Sequence, residues 1–231
     1  MFTPQKINID YSTLPEEFYV NVYDPITEQI SGESGLEDKF GGDLPFFIQG
    51  ESWPLHEGVP MKFFGQFKDP RKNDNILYRI FLPTLTTYEL EEYNINFIEL
   101  NEHNIQNQII IKIPNYDTSQ KFYDEPTFKP YKIISWRNRK ELKPYEVILD
   151  LLNIPFETDE LYNLYSDSIY SPSTCIKVGG TPVYCQYHDF KDFDYDNVLI
   201  QLSYSSCIPY QWCDFGIAHI SKNCILDWDC H

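Results

Sequence analysis

No cysteine precedes Cys175 in this 231-residue chain. Whatever holds the earlier part together is therefore neither a disulfide nor a thiolate–metal cluster. No stretch approaches the ~20 apolar residues of a membrane-spanning helix. The opening Met1-Phe2-Thr3-Pro4-Gln5-Lys6 has no apolar signal core, and no Asn-x-Ser/Thr acceptor occurs anywhere. A soluble, intracellular, cytoplasmic protein is the expectation. Basic residues are scarce: 18 Lys and Arg stand against 35 Asp and Glu, for a net charge of −17. Such a surface repels phosphate backbones and anionic lipid, so neither nucleic acid nor membrane is an expected partner. G-x-S-x-G, H-E-x-x-H, P-loop and G-x-G-x-x-G sequences are all missing. This weighs against an enzyme without closing the question. A Cys nucleophile working with His219 stays open, although no spacing supports it.

What the chain does hold is apolar and aromatic. Hydrophobic residues make up 42% and aromatics 16%, enough for a core and unlike a disordered segment. The length fits one large domain or two small intimate ones.

One motif occurs twice. Lys39-Phe40-Gly41-Gly42 is followed by Pro45 and later by the strand-like Phe63-Phe64-Gly65-Gln66-Phe67. Lys177-Val178-Gly179-Gly180 is followed by Pro182 and later by Leu199-Ile200-Gln201-Leu202. A further apolar segment follows each, Ile76 to Leu82 and Phe215 to Ile220. Paired glycines enter φ > 0 or permit close backbone approach. A following proline suits a turn or sheet edge. A glutamine within an apolar strand needs partners for two donors and an acceptor if it is buried. Two readings follow: a duplicated hairpin with a structural glutamine, or Gln66 and Gln201 facing a cleft between two repeats.

The series Lys39-Phe40-Gly41-Gly42, Trp53-Pro54, and Val59-Pro60-Met61-Lys62-Phe63-Phe64-Gly65-Gln66 resembles the signature of the YwqG-like family. The second half continues it with Lys177 to Pro182, Leu199 to Leu202, Trp212-Cys213-Asp214-Phe215-Gly216-Ile217 and Asp227-Trp228-Asp229-Cys230. Cys213 departs from the small residue usual there, and residues 83 to 172 carry none of the resemblance. The resemblance implies an α+β fold with an internally duplicated core. It brings no catalytic residues to transfer.

Along the chain, Thr13 to Glu17 reads as a short helix start, and Phe18 to Tyr23 reads equally well as a strand. Ser31 to Gly35 is a loop. Met61 to Phe67 and Ile76 to Leu82 are strands joined by the polar turn Asp69 to Asn75, and Trp53 lies on a loop. Tyr93 to Leu100 and Gln108 to Ile113 alternate as half-buried strands, and Tyr131 to Trp136 is another. Pro144 to Asn153 reads as a helix with Tyr145, Ile148, Leu149 and Leu152 on one face. A further helix is expected over 157–173. Repeat one spans about 39–82, a connecting region 83–173, and repeat two about 174–231, all within a single domain over 1–231.

Several residue sets are candidates for chemistry. Asp189, Asp192, Asp194 and Asp196 lack the glycine and bidentate glutamate of a calcium loop and read as a solvated acidic loop. Cys207, Cys213, Cys224 and Cys230, with His219 and His231 nearby, could hold zinc, pair as disulfides, or remain thiols. Their wide spacing favours thiols. Lys129, Lys132, Arg137, Arg139, Lys140 and Lys143 form a basic stretch interrupted only by Glu141, read as a solvated strand and turn. An acidic partner or RNA is the sharper alternative there.

The leading expectation is an α+β, β-rich, internally duplicated fold serving as a non-catalytic protein- or ligand-binding or structural module. Its hypothetical inter-repeat cleft comprises Trp53, Gln66, Gln201, Trp212 and Asp214, with structural turns at Gly41, Gly42, Gly179 and Gly180. Both tryptophans alternatively plug the ends of the core. An enzyme using the same cleft is the second reading and a zinc-stabilised interaction module the third. No cofactor is expected beyond that alternative zinc, and the partner is an unidentified protein.

Overall fold

The computed structural model describes residues 14–56, 58–82, 94–111, 129–153, 176–183, 198–203, 205 and 216–229. The expected helix over 157–173 and the acidic loop from His188 to Asn197 lie outside these residues.

Period-two alternation at the start of the chain builds a long strand rather than a helix. After a 3-10 turn, Glu16–Phe18, strand β1 runs Tyr19–Gln29. It continues through Pro25 to a register shift at Ile26/Thr27. The glycine-pair turn follows β2, Lys39–Phe40. Two short pairings come next, β3 (Phe47–Ile48) and the β4–β5 hairpin (Leu55–His56, Val59–Pro60). Then come β6 (Lys62–Lys68), β7 (Ile76–Leu82) and β8 (Asn94–Glu99). β6 and β7 are buried almost throughout, as uninterrupted apolar runs require.

Helix α1, Glu102–Gln106, was not legible in the sequence. Asn101 caps it by accepting from the Asn104 amide. Of the alternating run from Gln108 to Ile113, β9 takes Gln108–Ile109, paired with β3. β10 runs Tyr131–Leu142, so the expected strand continues past Trp136 through Arg137, Arg139 and Lys140, where the turn of the basic stretch was expected. Its partner β1 pairs with it from end to end, Gln29 opposite Tyr131 and Tyr19 opposite Leu142, past one bulge at Ile134. Helix α2, Tyr145–Leu152, buries Ile148 and Leu149 against Phe18 and Leu142. Asn153 ends it at φ 53°, donating to Leu149 and Asp150 carbonyls. The last strands are β11 (Ile176–Gly179), β12 (Val198–Ser203), β13 (Ile217–Ser221) and β14 (Leu226–Asp229).

Among the described residues, ten strands join one antiparallel sheet in the order β14-β13-β12-β11-β1-β10-β2-β6-β7-β8. The β1–β10 ribbon thus lies in the middle, with four strands on each side. The sheet curls until its two arms share one core. Phe40, Phe64, Phe67, Ile80 and Leu82 from one arm cluster with Val178, Leu199, Ile200, Leu202, Ala218 and Ile220 from the other. The fold is strand-rich with two short helices among the described residues. No helix among them is long and apolar enough to cross a membrane.

Candidate functional site

Two lysines are sealed inside this sheet, and each is held in the same way. Lys39 and Lys177 have no exposed side-chain surface. Lys39 Nζ donates to the Glu33 carboxylate and, at 2.7 Å, to the Leu44 carbonyl. Lys177 Nζ donates to Glu141 at 2.6 Å and to the Thr181 carbonyl at 2.5 Å. Each glutamate also accepts a backbone amide of the adjoining turn, Asp43 for Glu33 and Thr181 for Glu141, both at 3.1 Å. A buried ammonium persists only with such compensation. Burial pushes the Lys177 ammonium below its ordinary range, and Glu141 opposes that shift.

The glycine pairs follow from this geometry. Gly41, Gly42, Gly179 and Gly180 all have positive φ, at 70°, 84°, 70° and 79°. A Cβ on Gly42 would fall on the Glu33 carboxylate. One on Gly180 would sit 2.6 Å from Glu141 Oε2. In both turns the second glycine makes room for the carboxylate that neutralises the lysine.

The glutamines stand opposite the lysines. Lys39 pairs in register with Gln66, and Lys177 with Gln201. Gln66 Oε1 accepts the Phe46 amide at 2.8 Å, and its Nε2 donates to the Gly35 and Glu37 carbonyls at 2.9 Å. Gln201 Oε1 accepts the Val183 amide at 2.9 Å. Both glutamines are fully buried, and β11, β1, β10 and β2 separate their strands in the sheet. Each fastens its own glycine-pair turn to its own strand.

Trp53 is likewise a core residue. Its indole Nε1 donates to the Met61 carbonyl at 2.7 Å, and its ring meets Phe81 edge-on at 5.6 Å. For Trp53 that corresponds to the core plug rather than to a cleft residue. Trp212 and Asp214 lie outside the described residues, as do Cys207, Cys213 and Cys230. Cys224 is a half-buried free thiol whose pKa burial raises. Among the described residues, no group of three or more His, Cys, Asp or Glu side chains could hold a metal ion.

The basic stretch is largely neutralised along β10. Arg137 and Arg139 both donate to Asp24 Oδ2, at 2.9 and 2.8 Å. Arg139 also pairs with Glu141 at 2.7 Å, and Lys140 pairs with Glu16. Glu141, the lone acid in that stretch, links Arg139 to the buried Lys177. That isolated sign reversal is the signal by which the sequence marks it.

Sequence reasoning missed the other charged links. Arg79 is buried and donates to Glu51 through both terminal nitrogens, at 2.9 and 2.7 Å, and to the Phe46 carbonyl at 2.8 Å. Arg71 chelates Asp69 through Nε and a terminal nitrogen, both at 2.8 Å. Its other terminal nitrogen donates to the Val198 carbonyl at 3.2 Å. Beside Arg71 opens a cleft of about 330 Å³, lined by Val20, Asn21, Tyr23, Gly179, Gly180 and Lys222. Compared with known families and curated proteins, the chain matches no family model and no curated protein.

Proposed function

We propose that the chain is a non-catalytic binding module, a diverged domain of the YwqG-like type whose two halves descend from one copied unit. The matching locks carry this reading. Lysine faces glutamine in both arms. Both lysines hold a glutamate and a turn carbonyl. A register shift interrupts both following strand pairings, between Phe63/Gly65 and between Val198/Ile200. These polar groups are committed to the scaffold, which leaves recognition to surfaces the scaffold presents.

Affinity capture by the full chain, followed by incubation with whatever is captured, tests this function. A stoichiometric partner or ligand recovered chemically unchanged is the expected result. Saturable turnover of a captured compound would overturn the reading in favour of an enzyme.

A further inference from the structure

The cleft beside Arg71 lies where the two arms meet. Its floor is the Gly179-Gly180 turn, which carries no side chain, and a Cβ at Gly179 would press on Arg71 at 3.2 Å. The absence of that Cβ lets the guanidinium lie across the turn. Arg71 has five N–H donors, of which three are used by Asp69 and Val198. Two therefore point elsewhere, from a side chain that retains 22% of its exposure. Lys222 adds an exposed ammonium from the β13–β14 turn. Asn21 contributes an exposed carboxamide, and Tyr23 and Val20 form the less polar wall.

Arg71 and Lys222 are the charged residues of this lining, in a chain of net charge −17. Asp69, which pairs with Arg71, is itself fully buried and outside the lining. A guanidinium with spare N–H donors, an ammonium and a carboxamide around a side-chain-free floor match a compact oxyanion. The volume admits a small molecule rather than a peptide or polymer.

We infer that this cleft binds a small organic anion through its carboxylate or phosphate group, with Arg71 and Lys222 as its cationic contacts and Asn21 as a polar one. The inference rests on the binding-module reading and names a ligand class for it.

Titration of the full chain at constant ionic strength, with inorganic phosphate in one arm and acetate in the other, tests the site by amide NMR. Saturable shifts centred on Asn21, Gly179 and Gly180 are expected. The tighter probe identifies the head group. K222Q and N21A lie on the exposed surface, so fold retention can be checked directly. K222Q is expected to weaken binding about tenfold. R71K, which keeps the charge and loses the fork, is expected to weaken it further. Shifts that fail to saturate with both probes, or that are identical in wild type and K222Q, would overturn the site. A partner captured by the chain while the cleft ignores both anions would refute this inference and leave the binding-module reading intact.

Discussion

Arg71 donates to the carbonyl of Val198, 127 residues further along the chain. The bond joins the turn after β6 to the first residue of β12, so it ties one arm of the sheet to the other. Asp69 makes it possible. Its carboxylate is completely buried and fixes the guanidinium from behind.

Replacing Arg71 by alanine removes the inter-arm bond and leaves the Asp69 carboxylate buried without its cation. Breaking one partner of a buried pair costs about 3–5 kcal/mol. Arg71 keeps partial exposure, which places the expected loss at the low end, about 3 kcal/mol. Urea denaturation of R71A and R71K checks this, with R71K expected between R71A and wild type.

Gln66→Leu keeps the volume and removes both functions of the amide. The Phe46 amide and the Gly35 and Glu37 carbonyls lose their partner. Each unsatisfied buried group costs about 1–3 kcal/mol. A loss of at least ~3 kcal/mol is expected by chemical denaturation, and Gln201→Leu should lose a comparable amount if the two arms are equivalent. A neutral Q201L beside a severe Q66L would count against the copied-unit reading.

Glu141→Ala leaves Lys177 sealed in the sheet without its carboxylate. The expected cost is about 3–5 kcal/mol. Lys177→Met in the same background removes the orphaned charge and should recover part of that loss. The double variant being more stable than E141A alone, measured by thermal or urea unfolding, is the expected order. Equal stability of the two would mean that Lys177 does not depend on Glu141.

Glu51 supplies an acid-sensitive link. Burial pushes its carboxyl upward, but Arg79 and the Ile48 amide more than offset this and hold it below its ordinary value of 4.5. A carboxyl whose folded-state pKa is depressed contributes stability above its unfolded value, and loses it as pH falls through the folded one. Stability should therefore fall below about pH 4.5, and E51Q should show a shallower acid-side decline. A series of urea unfolding curves across that range checks it.

The strands were the most legible part of the sequence. Ile76 to Leu82 coincides with β7, and Met61 to Phe67 differs from β6 by one residue at each end, because continuous apolar runs between polar turns admit little else. The boundaries of β10 were hidden. Its second half is charged, and pairing with β1, with Asp24 opposite Arg137, keeps it extended. Helix α1 depends on a single Asn101 cap, a signal too short for periodicity to reveal. The glutamines stood out in the sequence as polar residues in apolar strands, but their roles turn on which backbone groups lie nearby. Lys39 meets Glu33 six residues away, whereas Lys177 meets Glu141 thirty-six residues away. Composition carries no trace of that second distance. Arg71 and Lys222 share a cleft only because the sheet curls.

The ribbon at the centre of the sheet has a consequence for biosynthesis. Asp24 lies 113 residues before its partner Arg137, so β1 leaves the ribosome long before the strand that flanks it exists. At ordinary elongation speeds the interval is roughly 6–23 s. Before it ends, β2, β6 and β7 have also been made, while β1 still lacks the strand that will join it to β2. The β6–β7 hairpin can close at once from local contacts, whereas β1 waits for β10, and the second arm, β11 to β14, is added to the far edge of the ribbon only afterwards.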